Sequence, residues 1–423
     1  MGRQLINISA EICPVAALAN CPATTILAPR PLPLPENSFR PMPSDFFDPN
    51  TAPSPCFVID EAALERNLTV LRGVGERTGC SVLAALKAFA AHALFPMMRE
   101  YLHGTCCSGP HEARLAAELF GGETHVYAPA FKDDDMDELL GIAHHITFNS
   151  LAQWRKFAPR IQAADRTIAC GLRINPEHSE APVALYDPCA GGSRFGIRAK
   201  DLDGEDLTGL TGLHFHTLCE QYTGALERTI AAVEQKFAPF LEHAQWVNFG
   251  GGHWITRPDY DVDHLCSMVS AFQDKHNVKV YLEPGEAVAI DAGYLVSEVV
   301  DVIDNDGPIA ILDASATAHF ADALEMPFTP AVQRGSTDPD ELPWKVRLGG
   351  LTCLSGDFFG SYSFPGPLKP GDRIAFLDAA HYTMVKTNHF NGVKHPAIAI
   401  LRKSGQLEVV REFGYEDYRD RLS

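Results

Sequence analysis

The sequence predicts an α/β protein in which a (β/α)8 barrel is followed by a second, all-β domain. From residue 56 to about residue 285, short apolar segments alternate with amphipathic helical segments, and this alternation is typical of parallel βαβ units. Beyond "KVYLEPG" the apolar segments are separated by Gly and Pro turns instead. We therefore expect a Pro-rich extension over residues 1–45, a barrel domain over residues 46–290 and a β domain over residues 291–423.

The individual elements follow from hydrophobic periodicity. "CFVID" predicts a strand that is able to pair with the β domain, and Leu64, Leu68, Leu71 and Val74 recur at helical spacing directly after it. Barrel strands are expected at "SVLAALKAF", "HVYAPA", "HITFNS", "IACGLRIN", "LTGLHFHT", "WVNFGG" and "KVYLEPG", with helices such as "HEARLAAELFGG" between them. Strands of the β domain are expected at "GYLVSEVVDVID", "IAILDAS", "KVRLGG", "DRIAFLD" and "AIAILRK".

The composition argues against several classes of function. The 423 residues carry 35 Lys and Arg against 54 Asp and Glu, a formal charge of −19, which disfavours nucleic-acid binding and favours cationic ligands. The 11 cysteines are odd in number and lack CxxC spacing, so we expect no disulfide framework, no metal site and a reducing cytoplasm. No stretch approaches the roughly 20 apolar residues that span a bilayer, so we expect no membrane association.

One lysine interrupts the apolar run "LAALKAF" at residues 83–89. Burial of an unpaired ammonium group costs several kcal/mol or lowers the lysine pKa. Lys87 therefore either ends the strand, with its head in solvent, or is a desolvated amine that bonds covalently to a carbonyl carbon. The segment alone leaves both interpretations open.

Two histidines in "HFH" give the sequence a possible metal-binding pair. His214 and His216 fall on one face of a strand because side chains alternate with a period of two. This spacing also suits a barrel metallohydrolase, which is the alternative from another class. Amidohydrolases carry such a pair on their first barrel strand, whereas four or five predicted strands precede it here.

Six motifs occur in the order found in one enzyme family. They are Lys87 in the first inner strand, "HFH" at 214–216, "NFGGG" at 248–252, "LEPGE" at 282–286, "LTCLSGD" at 351–357 and "DAAHYTMVK" at 378–386. Over about residues 50–420 the chain thus resembles the fold-type III, alanine-racemase-like decarboxylases that use pyridoxal 5′-phosphate. This family includes ornithine, diaminopimelate and carboxynorspermidine decarboxylases.

The resemblance implies roles for the residues around the cofactor. Lys87 would bond to the aldehyde of pyridoxal phosphate, Glu283 would keep the pyridine nitrogen protonated, and His216 would stack on the ring. Further cofactor contacts are expected at Gly250, Gly251, Gly252, Gly285 and Tyr382. His214 is left as a structural residue. Cys219 stands where relatives place a small hydroxyl residue near the phosphate, so it receives no role.

The resemblance also implies a homodimer with active sites completed across the interface. Cys353 would come from the partner subunit and handle the proton at the decarboxylated carbon, so Lys87, His216 and Cys353 are the expected catalytic residues. Tyr382 would likewise reach the cofactor across the dimer. By itself, a tyrosine in such a strand is more often a core residue.

The substrate prediction depends on one departure from the family pattern. Ornithine and diaminopimelate decarboxylases tend to read EPGR where this chain reads "EPGE", and a glutamate at 286 suits a substrate ammonium group. We therefore expect a polyamine-type substrate, carboxynorspermidine or carboxyspermidine, contacted by Glu286, Asp322 and Asp357. Diaminopimelate decarboxylase is the alternative within the family, and a relative that only binds partners is a third hypothesis.

Overall fold

The structure, a computed structural model, describes residues 47–423. The predicted Pro-rich extension over residues 1–45 lies outside the described residues. Residues 48–423 form one compact unit, which begins with strand β1 (Cys56–Asp60) and helix α1 (Glu61–Thr78). The predicted boundary between a barrel domain and a β domain inside this unit stays a prediction.

Eight parallel strands close into a barrel, which confirms the predicted barrel architecture. They are β2 (Ser81–Ala85), β3 (Gly104–Cys107), β4 (Glu123–Tyr127), β5 (His145–Phe148), β6 (Ala169–Arg173), β7 (Gly212–His214), β8 (Trp246–Asn248) and β9 (Lys279–Leu282). The ring closes where β9 pairs with β2, with Ser81 opposite Tyr281 and Val82 opposite Leu282. The carboxyl ends of all eight strands therefore meet at one rim.

Helices connect most of the barrel strands. They are α2 (Phe95–Met98), α3 (Pro110–Leu115), α4 (Asp133–Ile142), α5 (Leu151–Gln162), α6 (Thr223–Leu241) and α7 (Val262–His276), and a further short helix, α8 (Glu286–Ala289), follows the last barrel strand. The fully described connection from β6 to β7 differs from the predicted pattern, since it contains only two short 3-10 turns, Ala184–Tyr186 and Ala199–Asp201. Among the described residues, no helix combines the length and the apolar character needed to cross a membrane.

The remaining strands form a separate sheet, which confirms the predicted β-rich part. They are β10 (Gly293–Asp304), β11 (Pro308–Leu312), β12 (Trp344–Gly349), β13 (Phe358–Phe364), β14 (Arg373–Leu377), β15 (Ala397–Leu401) and β16 (Leu407–Arg411). The strand order is β13-β12-β11-β10-β1-β15-β16, and β14 also pairs with β10. β1 thus lies in this sheet, antiparallel to β10 and parallel to β15.

The β-rich part of the chain also contains short helices that the sequence did not predict. Three short helices lie among its strands: α9 (Ala316–His319), α10 (Asp322–Glu325) and α11 (Tyr415–Asp420). Each has only four to six residues, which is too short for hydrophobic periodicity to identify. Strands β13 and β16 were also missed.

A tryptophan fills the interior of the barrel. The Trp246 side chain lies against Gly171 on β6 and Gly212 on β7, where a Cβ atom would come within 2.5 Å and 2.0 Å of the indole ring. Leu83 and Tyr281 pack with Trp246 in one buried cluster. The indole ring occupies the space that side chains would take in "ACGLR" and "TGLH", so only glycine fits at these two positions.

A methyl group at Gly212 should destabilise the protein. Gly212→Ala places its Cβ atom in the indole ring of Trp246, and such overpacking costs about 1–3 kcal/mol of unfolding free energy. Gly191→Ala is the matched control, because nothing lies within 4 Å of the place that its methyl group would take and its φ is not positive. Thermal and urea unfolding of both variants measure the difference, and equal stabilities would contradict the packing argument.

Candidate active site

The residues of the predicted site converge at the carboxyl ends of four neighbouring strands. Lys87 follows β2, His214 ends β7, Gly250 follows β8 and Glu283 follows β9. In the barrel, β7, β8, β9 and β2 are consecutive neighbours. Positions separated by two residues on these strands face the same side of the barrel wall, so these side chains share one part of the rim.

The structure corrects the expectation that Lys87 lies within a buried strand. β2 ends at Ala85, and the chain then turns, because the N–H of Ala88 donates a hydrogen bond to the Ala85 carbonyl. Lys87 is exposed, and its Nζ atom lies 3.3 Å from Nε2 of His216. Lys87 therefore follows the end of its strand, and its amine lies at the barrel rim beside His216.

Two partners hold the carboxylate of Glu283 in place at the base of the site. Its Oε1 atom accepts a 2.7 Å hydrogen bond from the Asn248 amide, and Oε2 lies 3.3 Å from Nε2 of His214. Burial alone would raise the pKa of Glu283, but the adjacent His214 and the Asn248 amide outweigh it and lower that pKa. Glu283 is therefore a largely buried carboxylate, 13% exposed, that stays ionised at neutral pH.

His216 lies between the lysine and the glycine loop. Its Nδ1 atom is 3.1 Å from both the backbone nitrogen and the carbonyl oxygen of Gly251. Burial and then the Lys87 charge lower the pKa of His216 well below its ordinary value. A neutral imidazole ring therefore stands beside the lysine amine.

The three glycines of "FGGG" are required by close backbone packing. A Cβ atom at Gly250 would lie 2.6 Å from the Phe215 carbonyl oxygen, and one at Gly251 or Gly252 would come closer still to other backbone oxygens. The N–H groups of Gly250 and Gly251 already donate hydrogen bonds, to Asn248 and His216. The N–H of Gly252 has no acceptor in the part of the chain that the structure describes, which leaves this donor for a ligand.

Tyr382 reaches the barrel rim of its own chain, which differs from the expected contact across a dimer. Its N–H donates a 2.7 Å hydrogen bond to the Ala88 carbonyl beside Lys87. Its hydroxyl lies 3.4 Å from the position that a Cβ atom on Gly285 would take, and Ala88 lies 2.9 Å from that position. Gly285 and Tyr382 thus form a second wall next to the lysine.

Acidic side chains surround the same rim. Glu286 accepts a 3.0 Å hydrogen bond from the indole N–H of Trp254, and burial raises its pKa to about 7 although His381 opposes the shift. Glu220, which the sequence did not single out, raises that pKa further. Asp378, 3.2 Å from His381, outweighs the burial of that histidine and raises its pKa to about 9.

The sequence offered a partial signal for these additional groups. Glu220 follows the "HFH" motif closely and His381 lies in "AHYTMVK", but neither motif indicates which side chains face the site. Asp322, an expected substrate contact, is already paired: Lys386 donates a 2.6 Å hydrogen bond to it and also contacts Glu325. Nothing in the sequence pattern predicted this pair.

Asp357 serves the loop before β13 instead of facing a ligand. It is buried, and its carboxylate accepts hydrogen bonds from the Ser315 hydroxyl, the Thr317 N–H and both the N–H and hydroxyl of Thr352. A carboxylate with this many donors has little capacity left for a substrate ammonium group. The expected substrate contact at Asp357 therefore does not fit the geometry.

Cys353 is exposed on the loop that Asp357 holds. Its N–H donates a 2.7 Å hydrogen bond to the Asn391 side chain, and the neighbouring Leu351 and Leu354 are also exposed. Among the nine cysteines in the described residues, Cys353 alone is exposed to solvent. Its thiol is therefore available to a group outside its own fold.

The "HFH" pair does not form a metal centre in this geometry. His214 faces Glu283 and His216 faces Lys87, so the two rings have different partners and a lysine amine stands where a cation would bind. The three donor residues that do converge among the described residues are others, at Glu123, His125 and His145. This arrangement argues against the metallohydrolase alternative.

Comparisons with known proteins agree with the motif order. The family model described as "Pyridoxal-dependent decarboxylase, C-terminal sheet domain" matches residues 56–380. Carboxyaminopropylagmatine decarboxylase from a Synechocystis species is 46% identical, over 88% of this chain and 96% of that protein. Carboxynorspermidine/carboxyspermidine decarboxylase from Campylobacter jejuni is 45% identical, over 86% of this chain and 97% of that protein.

A solved structure gives the same result. The crystal structure of carboxynorspermidine decarboxylase from Campylobacter jejuni, complexed with norspermidine, superposes with a TM-score of 0.82 at 43% identity, covering 88% of this chain and all of that one. Diaminopimelate decarboxylases are more distant, at 19–24% identity. The chain belongs to the pyridoxal-dependent decarboxylases and is a carboxy-lyase whose cofactor is pyridoxal phosphate.

Proposed function

We propose that this decarboxylase converts carboxynorspermidine or carboxyspermidine to norspermidine or spermidine, a step of polyamine biosynthesis, in the cytoplasm. The observation that carries the proposal is the half-buried side chain of Glu286, with Glu220 beside it and Asp322 beside Glu220. A carboxylated triamine brings several ammonium groups into the site, and each needs an acceptor once it is dehydrated. The similarity to the Campylobacter jejuni decarboxylase supports the same substrate class.

The residues at the rim fit pyridoxal phosphate. Lys87 supplies the amine that holds the aldehyde, and the ionised Glu283 suits a protonated pyridine nitrogen. The backbone around Gly252 and Gly285 leaves no room for a Cβ atom and provides a free N–H group for the phosphate. His216 contributes a flat, neutral ring beside Lys87. Tyr382 lines the opposite wall.

Each residue has a separate task in the proposed reaction. When bound, the cofactor supplies an electron sink for the electron pair left by the departing CO₂. Glu283 keeps that sink effective by holding a proton at the ring nitrogen. The Lys87 amine would hold the cofactor aldehyde beside His216. The thiol of Cys353 donates the proton that replaces the carboxylate on carbon.

We further propose that two chains form a homodimer in which Cys353 serves the partner's site. Cys353 is exposed, and it is flanked by Leu351 and Leu354, whose exposed fractions are 47% and 45%. An apolar, solvent-facing loop that carries a reactive group suits an interface. Asp357 then acts as a positioning residue that holds this loop, and its backing by Ser315 and Thr352 supports that role.

The proposed substrate contacts are ranked by how few hydrogen-bond donors each carboxylate already has. Glu286 has one neutral donor, Trp254, and is the first candidate for a substrate ammonium group. Asp322 is the second, and a substrate would have to share it with Lys386. A second candidate substrate is carboxyaminopropylagmatine, which the Synechocystis relative favours and whose guanidinium group also suits carboxylates.

The substrate assignment predicts a ranking of turnover. Carboxynorspermidine and carboxyspermidine should give higher kcat/KM values than meso-diaminopimelate, because the distal carboxylate of diaminopimelate would be repelled by Glu286 and Glu220. Release of CO₂ from each substrate, with carboxyaminopropylagmatine included, measures the ranking. Lys87→Ala is the control and should lose both turnover and the visible absorbance of bound cofactor. A preference for diaminopimelate would overturn the substrate while leaving the cofactor assignment intact.

The raised pKa of Glu286 predicts a pH dependence. Burial raises this pKa to about 7, so the carboxylate that binds an ammonium group forms as the pH rises through about 7, and kcat/KM should rise with it. Glu286→Gln should remove this rise and lower the plateau by roughly 10- to 150-fold, since a charge-assisted hydrogen bond contributes about 1.5–3 kcal/mol. Glu227→Gln, at an exposed acid on α6, is the control. An unchanged profile in Glu286→Gln would refute the assignment.

The proposed homodimer predicts complementation between inactive chains. In a Lys87→Ala and Cys353→Ala heterodimer, one of the two sites contains both wild-type residues, so an equimolar mixture should recover about a quarter of wild-type activity. Lys87→Ala mixed with Glu283→Gln should recover none, because both residues belong to the same barrel. Activity is measured after subunit exchange has been verified with tagged chains. No recovery in the first mixture would mean that Cys353 does not serve the partner.

A further inference from the structure

A lysine ammonium group lies among the acidic side chains at the barrel rim. The Nζ atom of Lys386 donates a 2.6 Å hydrogen bond to Oδ1 of Asp322 and also contacts the carboxylate of Glu325. These two acids are three positions apart on α10, so they lie on one side of that helix. Burial would lower the pKa of Lys386, but its bonds to Asp322 and Glu325 outweigh it and raise that pKa. Lys386 is therefore a charged ammonium group between two carboxylates.

These carboxylates continue a row of acids that begins beside the cofactor residues. Glu286 directly follows Gly285, and burial and in addition Glu220 raise the pKa of Glu286. Burial and in addition Asp322 raise the pKa of Glu220. Each acid thus lies close enough to the next to disfavour its ionisation. Glu325 extends the row through Lys386, which stands at the outer end.

The ion pair of Lys386 is placed where a ligand is able to replace it. Tyr186, in the connection from β6 to β7, faces the same pair, since burial and then Asp322 raise the pKa of its hydroxyl while Lys386 lowers it. The side chains of Lys386 and Glu325 are 34% and 51% exposed. An ion pair with this much exposure contributes little net stability, so an ammonium group of a substrate is able to displace Lys386 from these carboxylates.

We propose that Lys386 is a built-in competitor for the outer ammonium group of the substrate, and that it sets how tightly the site holds substrate and product. The inference rests on the proposed polyamine-type substrate. A lysine side chain is a primary ammonium group on a flexible four-carbon stem, so it matches an aminopropyl or aminobutyl end in charge and in kind. When such an end binds, it shares Asp322 with Lys386 or displaces it. When the product leaves, Lys386 returns.

This competition affects binding because decarboxylation leaves the outer ammonium group unchanged. An interaction made equally by the substrate and the transition state lowers KM without raising kcat, and the product keeps the same interaction. Lys386 weakens this uniform binding, since each carboxylate that it occupies is withdrawn from the ligand. We therefore expect Lys386 to act on KM and on the affinity for product, and to leave kcat nearly unchanged.

The test compares variants of Lys386 in the full-length, pyridoxal phosphate-loaded protein. Lys386→Met keeps an unbranched side chain and removes the charge, so calorimetry should show norspermidine bound at least about threefold more tightly, and KM for carboxynorspermidine should fall by a similar factor. Lys386→Gln also removes the charge and should show the same gain. Lys386→Arg keeps the charge and should stay close to wild type. Lys403→Met, at an exposed lysine paired with Glu65, is the control and should change neither value.

Two further measurements separate competition from a purely structural role. The gain should shrink as NaCl is raised, because salt screens half-exposed charges. It should also shrink in the Asp322→Asn background, since one of the carboxylates that Lys386→Met frees is then absent. Norspermidine binding by Lys386→Met and Lys386→Gln that is no tighter than in wild type would overturn the inference. A lower Tm in the same variants would then show that Lys386 only holds α10.

The proposed function would fail in a different way. A wild type that neither binds norspermidine nor releases CO₂ from carboxynorspermidine would refute the substrate class, and the role of Lys386 would fall with it. A wild type that does both, while the charge-removing variants gain nothing, would leave the substrate class intact and refute only the role of Lys386.

Discussion

Closure of the parallel barrel is the constraint on which the active site depends. The pairing of β9 with β2 brings Lys87 and Glu283 to one rim although almost the whole barrel sequence separates them. Because β7, β8, β9 and β2 are consecutive, one sector of the rim receives the amine, the imidazole, the glycine loop and the carboxylate. The Trp246 side chain, packed against Gly171 and Gly212, fills the interior beneath this sector.

Two glutamates three positions apart show how local surroundings set protonation. Glu283 has an amide donor and His214 beside it, which keep its pKa low despite burial. Glu286 has an indole N–H and further acids around it, so burial dominates and its pKa rises to about 7. The β-rich part of the chain takes part in this balance through His381 and Asp378. One short loop thus provides a permanent anion and a titrating one.

The sequence predicted the barrel well because apolar strands and amphipathic helices differ in period. The sequence did not show where β2 ends. Leu86, Ala88 and Phe89 are buried beyond the last residue of this strand, so the apolar run continues and Lys87 was assigned to the strand. Asp357 could not be interpreted either, since its partners Ser315 and Thr317 lie about 40 positions earlier. The expected cofactor residues were identified from the order of the motifs. Their positions relative to one another could be obtained only from the folded barrel.

The pairing of β1 ties the two ends of the chain together during synthesis. Cys56, Phe57, Val58 and Ile59 are buried between β10 and β15, so the first strand cannot be covered until residues 397–401 have left the ribosome. At about 5–20 residues per second, this delay is roughly 15–70 s. During that time β1 has no partner at the edge that β15 later covers, and its other edge stays unpaired until β10 has been made. The nascent chain is therefore exposed to aggregation at its beginning, and chaperones that bind short apolar segments have a defined interval in which to act.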